Sequence, residues 1–315
     1  MSFSLEVKME LSHIEESAGC CRRAELAGIL RAGLAMRDTT DGPRLLFTTE
    51  NAPLSRRIFT MVKEIYRFEP KVYMSKTRRF KAHAVYRLDF SGLLEDGGKK
   101  VLDSIGLSVD HGDAIVHHHY RLRNRCCKRA YLRGCFMANG SISDPDKSYH
   151  LEVTFRSKVQ AEEFMHYLRE FGLEPRTIMR KSQYLVYLKE GQEIVDFLNV
   201  IGAHSALMNL ENIRIMKEMR NQVNRIVNCE TANLTKTVDA SFRQTESIRY
   251  IKEHSGLETL PNPLYEIAML RLENPDVSLT ELGKMLNPPL SKSGVNHRLR
   301  KIEKIAEDLG FDAKT

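Results

Sequence analysis

CCKRAYLRGCFMANG, residues Cys126–Gly140, has an echo earlier in the chain at Cys20–Leu34, CCRRAELAGILRAGL. Cys20 and Cys126, Cys21 and Cys127, Arg23 and Arg129, Ala24 and Ala130, Leu26 and Leu132, and Gly28 and Gly134 are identical pairs at one constant offset. So dense a match in so short a window marks an internal duplication of the first two-thirds of the chain. The small residues set the geometry to be expected. A glycine inside a helix costs up to ~1 kcal/mol relative to alanine, so Gly28 and Gly134 need a reason. Close approach of two helix backbones, helped by Ala24 and Ala130, supplies one. The plainer alternative is an ordinary pair of core helices.

Both stretches resemble the LAGLIDADG helix of homing endonucleases, with Leu26-Ala27-Gly28-Ile29-Leu30 the closer match. The resemblance implies two such helices packed on a pseudo-two-fold axis, each half adding strands to a saddle-shaped sheet whose concave face lies on DNA. It also implies acidic metal ligands near the helix ends. Laid on the motif, the penultimate position falls on Gly33 and Asn139, and the earlier acidic position on Arg31 and Met137. Metal-assisted phosphodiester hydrolysis needs hard anionic oxygens to hold Mg²⁺ and activate water. Glycine has no ligand atom and a lone asparagine amide is neutral. The scaffold is therefore expected to be present and its active site lost. Asp38 and Asp144 would approach only if the register slipped, and each lies beyond its helix end.

The 315-residue chain is long enough for two or three domains, and a formal charge of +7 favours an anionic partner. The start MSFSLEVKMEL has charges where a secretory leader would be apolar, and no later run approaches the ~18 apolar residues of a membrane span. Six cysteines, two pairs of them adjacent, make no disulfide framework. A cytoplasmic protein without membrane partners is expected.

In order, residues 1–19 read as a short strand or arm because Phe3, Leu5, Val7, Met9 and Leu11 alternate. After the first motif helix come a strand at Arg44–Thr49, an amphipathic helix at Ala52–Phe68, strands at Lys71–Thr77 and His83–Phe90, and a helix at Lys99–Ile105. The second copy repeats the order: strand Tyr149–Phe155, helix Lys158–Phe171, strands Arg176–Ser182 and Gln183–Leu188, and helix Gln192–Ile201. Glu69-Pro70 matches Glu174-Pro175, and LDSIG at Leu102–Gly106 matches LNVIG at Leu198–Gly202. The strands are basic, with no acid between Lys71 and Arg87. Lys76, Arg78, Arg79 and Lys81 in the first half, and Arg180 and Lys181 in the second, are the candidate saddle contacts with DNA. A solvated face is the alternative reading of such a charge run.

The connector at 110–125 carries His111, His117, His118 and His119, then Arg121, Arg123 and Arg125, and runs into Cys126-Cys127. Zinc ligands are usually spaced as CxxC or HxxxH so that they converge, and adjacent cysteines on a helix point apart. No metal site and no cofactor are expected, and the connector reads as a basic linker. From Ala203 to Ser255 there is neither glycine nor proline, and Leu207, Leu210, Ile213, Met216, Met219, Val223, Ile226 and Val227 recur at helical spacing. Leu234, Val238, Phe242, Ile248 and Ile251 continue the pattern. This is a helical link of two or three helices, with an Asn- and Arg-rich polar face.

The end of the chain reads as a helix-turn-helix unit. A first helix follows Pro261 and Pro263 and stops at Asn274-Pro275-Asp276; Ser278 with Glu281 is a capping-box signature for the second. Asn287-Pro288-Pro289 is the turn, and Ser291 or Ser293 caps a third helix with Val295, Leu299, Ile302, Ile305 and Leu309 on one face. Lys292, Asn296, His297, Arg298, Arg300, Lys301 and Lys304 form its other side. An apolar back and a cationic front suit a recognition helix in the major groove of double-stranded DNA. Ser291, Lys292, Ser293, Asn296, His297, Arg298, Arg300, Lys301 and Lys304 are the candidate DNA-binding residues.

The whole chain resembles the WhiA family, regulators of sporulation and cell division in Gram-positive bacteria. The resemblance rests on the SFS…VKMEL start, RCCKRAYLRGCFMANGSIS at Arg125–Ser143, and NRIVNCETAN at Asn224–Asn233. The expected fold is α+β: duplicated LAGLIDADG-like αβαββα halves at 1–110 and 111–202, a helical linker at 203–256, and an all-α helix-turn-helix domain at 257–315. The resemblance implies a DNA-binding regulator that is not an enzyme, influencing transcription, division or chromosome segregation, with transcription or division proteins as candidate partners. A protein-interaction scaffold and a residual metal-dependent endonuclease are the alternatives.

Overall fold

The computed structural model describes residues 2–16, 18–39, 42–76, 84–95, 97–110 and 114–311. The chain divides into two compact units, Met1–Lys217 and Glu218–Thr315, each with its own hydrophobic core.

The first unit is built on α2 (Gly19–Gly33) and α5 (Arg125–Asn139), the two motif helices. Their backbones touch where the glycines fall. A Cβ at Gly28 would lie 2.4 Å from the Tyr131 carbonyl oxygen, and one at Gly134 would lie 2.2 Å from that of Glu25. Any side chain at either position would force the helices apart, which is the reason the sequence accepts glycine there.

Each motif helix runs directly into a strand, β1 (Leu34–Thr39) or β7 (Gly140–Ile142), because Leu34 and Gly140 turn extended at the helix ends. These innermost strands were not expected, since no breaker separates them from the helices; they make the first half αββαββα, one strand more than αβαββα. The remaining strands are β2 (Gly42–Thr49), β3 (Lys71–Lys76), β4 (Ala84–Asp89), β8 (Leu151–Phe155), β9 (Arg176–Arg180) and β10 (Gln183–Leu188). The two four-stranded sheets share one antiparallel order, β1-β2-β4-β3 and β7-β8-β10-β9, so the duplication holds in topology as well as in sequence. Helices α3 (Ala52–Tyr66), α4 (Lys99–Ser104), α6 (Lys158–Glu170) and α7 (Gly191–Ile201) cover one side. Leu45, Phe47, Leu88, Val153, Phe155 and Val186 point into that core.

Two expectations are corrected. Residues Phe3–Ser12 form a helix, α1, not a strand or arm; Phe3, Val7 and Leu11 are buried while Leu5 is exposed. Its apolar residues satisfy a spacing of four as well as of two, and packing decides for the helix. The connector is not a linker throughout: Leu107–Asp110 (β5) and Ala114–His117 (β6) pair as a hairpin.

The 203–256 link is one 51-residue helix, α8 (His204–His254), rather than two or three. Without glycine or proline nothing interrupts it. The Glu10 carboxylate accepts from the backbone N–H groups of Ser205 and Ala206 at 2.7 and 3.0 Å and closes its first turn. Met216, Met219, Val223, Ile226, Leu234, Val238 and Phe242 are exposed along it.

In the second unit, α9 (Asn262–Glu273), α10 (Leu279–Met285) and α11 (Lys292–Asp308) enclose a core that includes Ile248 and Ile251 of α8. The Ser278–Glu281 capping box is present, and Ser291 rather than Ser293 caps α11, accepting from Gly294 N at 3.3 Å. Gly283 lets α10 pack on the turn: a Cβ there would lie 2.2 Å from the Leu290 carbonyl oxygen.

Candidate nucleic-acid interface

The third helix of the second unit, α11, has two unlike sides. Val295, Leu299, Ile302 and Ala306 are buried. At 3.6 residues per turn, Ser293, His297, Arg300 and Lys304 form a stripe directly opposite, flanked by Asn296 and Lys301, with Lys292 beside the cap. The stripe residues and Lys301 are exposed. Arg298 differs from them. It is half-buried and its Nη1 donates to the Pro263 carbonyl at 3.2 Å, tying α11 to the start of α9. Ile305 is only partly buried and Leu309 is exposed, so Ala306 takes the core position that the apolar pattern gave to longer side chains.

In the first unit, strand parity fixes which side chains leave the helix-covered core. Direct partners across an antiparallel pair share a face. The register of β1, β2, β4 and β3 therefore places Arg37, Arg44, Arg87, Tyr73 and Lys71 on the open face, with Asp89. Arg44 pairs with Asp89 at 3.1 Å. In the second sheet the open face carries Arg176 and Arg180 with Glu152; Arg156, one residue past β8, is exposed and donates to the Leu34 carbonyl at 2.7 Å. Of the residues expected there, Arg180 is on the open face. Lys181 sits in the two-residue β9–β10 turn, where Lys181 and Ser182 both have positive φ. Lys76 is exposed at the end of β3 but on the opposite face, with Val72 and Met74. Arg78, Arg79 and Lys81 lie outside the described residues. Arg37 and Arg156 were missed; counting strand parity outward from buried Leu34 and Phe155 finds them.

The C-terminal ends of α2 and α5 carry no carboxylate at the two motif positions. At Gly33 a Cβ would lie 2.0 Å from the Phe47 ring, which fills the space a side chain would need. The Asn139 amide donates to the Ala32 carbonyl at 2.6 Å and to the Thr154 carbonyl at 3.2 Å. It fastens the end of one motif helix to the other and to β8, a donor's role that a carboxylate cannot take. Asp38 lies in β1, and Asp144 accepts from Asp146 N at 3.1 Å in the turn after β7.

Arg31, at the earlier acidic position, is fully buried. It donates to the Tyr131 hydroxyl (3.2 Å), to the carbonyls of Ile105 (2.9 Å), Gly106 (2.7 Å) and His118 (3.0 Å), and to the Glu163 carboxylate (3.2 Å). These partners come from both halves, so a cation now stitches the repeats where the resemblance puts an acid. A second network does the same nearby: the Glu25 carboxylate accepts from Arg57 at 2.5 Å and from Arg133 at 2.9 Å.

Beside β1, which follows α2, lies a cleft of about 670 Å³ lined by Met36, Arg37, His117, Arg156 and Gln183 among others. His117 Nδ1 is buried there with no hydrogen-bond partner among the described residues. Burial, then the positive charges of Arg31 and Arg156, push its pKa from 6.5 down to about 4. In the unfolded chain the imidazole takes a proton near pH 6.5, whereas in the fold it resists until about pH 4. The unfolded state therefore binds more protons across that window, and stability falls as pH falls through it. A His117→Gln variant is expected to lose this part of the pH dependence between about 6.5 and 4, read as a flatter plot of thermal midpoint against pH. An unchanged slope in the variant would mean that other groups carry it.

Comparison with known proteins follows the same division. Residues 19–108 match the WhiA N-terminal LAGLIDADG-like domain, 128–220 the WhiA LAGLIDADG-like domain, and 223–306 the WhiA C-terminal HTH domain. A protein of Alkaliphilus metalliredigens described as "probable cell division protein WhiA" is 47% identical, over 98% of each chain. One of Heliobacterium modesticaldum with the same description is 45% identical over 98% of this chain and 96% of its own. Among solved structures, full-length DUF199/WhiA from Thermatoga maritima matches at 27% identity and a TM-score of 0.58, covering 99% of this chain and 100% of that one. No helix among the described residues is long and apolar enough to cross a membrane.

Proposed function

The chain belongs to the WhiA family, and from that premise we propose that it is a DNA-binding regulator of cell division, chromosome segregation or sporulation genes, acting on the nucleoid in the cytoplasm and without nuclease activity. The observation that carries the reading is the stripe Ser293, His297, Arg300 and Lys304, exposed on a helix whose other side is locked into a core. A rigidly backed helix with hydroxyl, imidazole and cationic groups along its free side can enter the major groove with its first turns at the base edges. The open face of the sheets contributes a second set of cations suited to phosphates rather than bases. In this reading the repeats at 1–110 and 111–202 supply affinity, and the helical link and 257–315 supply sequence preference.

The absence of nuclease activity is supported by the chemistry at the motif-helix ends. Phe47 occupies the space beside Gly33 and Asn139 is committed to two carbonyls, so neither position offers a hard anionic oxygen for Mg²⁺.

The test is binding of the full chain and its variants to genomic sites found by crosslinking. Arg300→Ala is expected to weaken specific binding by ~1–3 kcal/mol while leaving non-specific binding nearly unchanged, as for loss of a base contact. Lys304→Ala, further from the cap, is expected to reduce the salt dependence by about one phosphate contact, ~0.9 in the slope of log K against log salt. The same preparation incubated with plasmid and Mg²⁺ or Mn²⁺ should leave it intact. Specific binding insensitive to both substitutions would point to α11 as a protein contact. Divalent-dependent nicking that disappears in Asn139→Ala would restore the endonuclease reading.

A further inference from the structure

The repeated element that opens each motif helix has no role in the function proposed above. Cys20-Cys21 begins α2 and Cys126-Cys127 begins α5. The expectation of no metal rested on adjacent cysteines diverging within one helix. The fold supplies what one helix lacks: side-by-side packing on the pseudo-two-fold brings both pairs to one point. All four Sγ atoms lie within 4.8 Å of one another. Cys21 and Cys127 are buried at 4% and 6% exposure, while Cys20 and Cys126 are exposed, so the cluster has an inner wall and an open approach.

We infer that Cys20, Cys21, Cys126 and Cys127 form a structural Zn²⁺ site that clamps the N-terminal ends of the two motif helices. Tetrahedral zinc with ~2.3 Å bonds to sulfur sets its ligand sulfurs about 3.8 Å apart, so the cluster needs to contract by no more than ~1 Å. Four thiolates and no oxygen ligand select a soft or borderline ion over Mg²⁺ or Ca²⁺. A two-iron cluster holds its cysteine pairs on separate irons, and sulfurs sharing one such neighbourhood leave no room for it. Coordination exchanges four thiol protons, released to solvent, for one dication, leaving a net charge of −2.

The surroundings suit that charge. Cys20 and Cys126 are second residues of their helices and Cys21 and Cys127 third, so the cluster lies at the positive ends of both helices, where a net negative centre is favoured. Neither N-cap residue, Ala18 or Asn124, makes a side-chain capping bond. Two cations follow each pair, Arg22-Arg23 and Lys128-Arg129; Arg22 and Lys128 also meet Glu64 and Glu170. The clamp sits at the opposite end of the helices from Gly33 and Asn139. About thirteen residues, roughly 20 Å of helix, separate it from the cleft. It would therefore set the helix pairing without touching the DNA-facing side. With four protein ligands and no open position it is a structural centre, not a catalytic one.

The experiment uses the full chain purified under reducing conditions without chelator, then loaded with Zn²⁺ or Co²⁺ alone. The expected result is one Zn²⁺ retained per chain through gel filtration. The Co²⁺ form should show the charge-transfer and intense d–d bands of a tetrahedral four-thiolate site. Cys20→Ser with Cys126→Ser, which alters only the exposed members, should abolish retention and the Co²⁺ spectrum, whereas Cys229→Ser on α8 should leave both unchanged. If the double variant fails to fold, titrating the wild type with a mercurial should release its zinc in step with modification of four thiols. Wild-type protein that takes up neither ion overturns the site. So does an ion retained by the folded double variant, or a mass loss under mild oxidation showing disulfides between the helices with no metal bound to the reduced form.

Discussion

Replacing Arg31 with methionine, the residue its counterpart Met137 carries, is expected to destabilise the first unit by ~3–5 kcal/mol, the usual cost of leaving one member of a buried ion pair alone. The side chain is fully buried and reaches five partners. Glu163 would lose its cationic partner while keeping the Tyr120 N–H, at 2.8 Å, and the carbonyls of Ile105, Gly106 and His118 would lose the guanidinium as a donor. Against the ~5–15 kcal/mol that stabilises a typical domain, the loss is large. Urea unfolding followed by a probe in the first unit is the measurement. The transition of the second unit, whose core is separate, should stay in place. A shift below ~1 kcal/mol would show that methionine packs well enough to offset the lost network, as apolar replacements of buried ion pairs sometimes do.

Reversing four charges on the open face of the sheets, Arg37→Glu, Arg87→Glu, Arg176→Glu and Arg180→Glu, should produce the largest change in DNA affinity. Each lost phosphate contact lowers the slope of log K against log salt by ~0.9, so the slope should become shallower by about 3 to 4. Introduced acids add repulsion to the lost attraction. Site preference should survive, because these residues belong to strands of the first unit, not to α11, and act on phosphates. A salt titration of wild type and quadruple variant on one DNA decides it. All four side chains are exposed, so fold stability should change little. If the slope stays where the wild type has it, the open face does not lie on DNA. Tyr73 and Ile178, exposed among these arginines, would then favour a protein-contact surface and the scaffold reading.

Much of the architecture was legible in the residues. The doubled CC…LxG pattern identified the two motif helices because glycine in a helix interior is costly and recurs only where backbones meet. Period-two and period-3.6 patterning located β4, α3, β10 and α6 to within a residue or two of their bounds. The Ser278–Glu281 pair marked the start of α10 because a capping box is a local hydrogen-bond exchange needing no distant partner. What failed was whatever local pattern leaves degenerate. The spacing of Phe3, Val7 and Leu11 serves helix or strand, and α8 carries an apolar stripe that reads as core yet is exposed.

The sequence by itself therefore determined the duplication, the close helix pairing, the helix-turn-helix unit and the loss of acidic ligands at Gly33 and Asn139. Each of those is written in residue identity or in spacing shorter than one element. Tertiary structure alone decided which cations share the open face, since parity counts only once strands have found their partners. It also decided that Phe47 fills the space beside Gly33, that Arg31 stitches the halves, and that two vicinal cysteine pairs, divergent when read along one helix, meet at a single point. The physical reason is the same in all three cases. The atoms concerned lie from 14 residues (Gly33 and Phe47) to 132 residues (Arg31 and Glu163) apart in sequence, and only the packing of α2 against α5 and of each sheet against its helices brings them together.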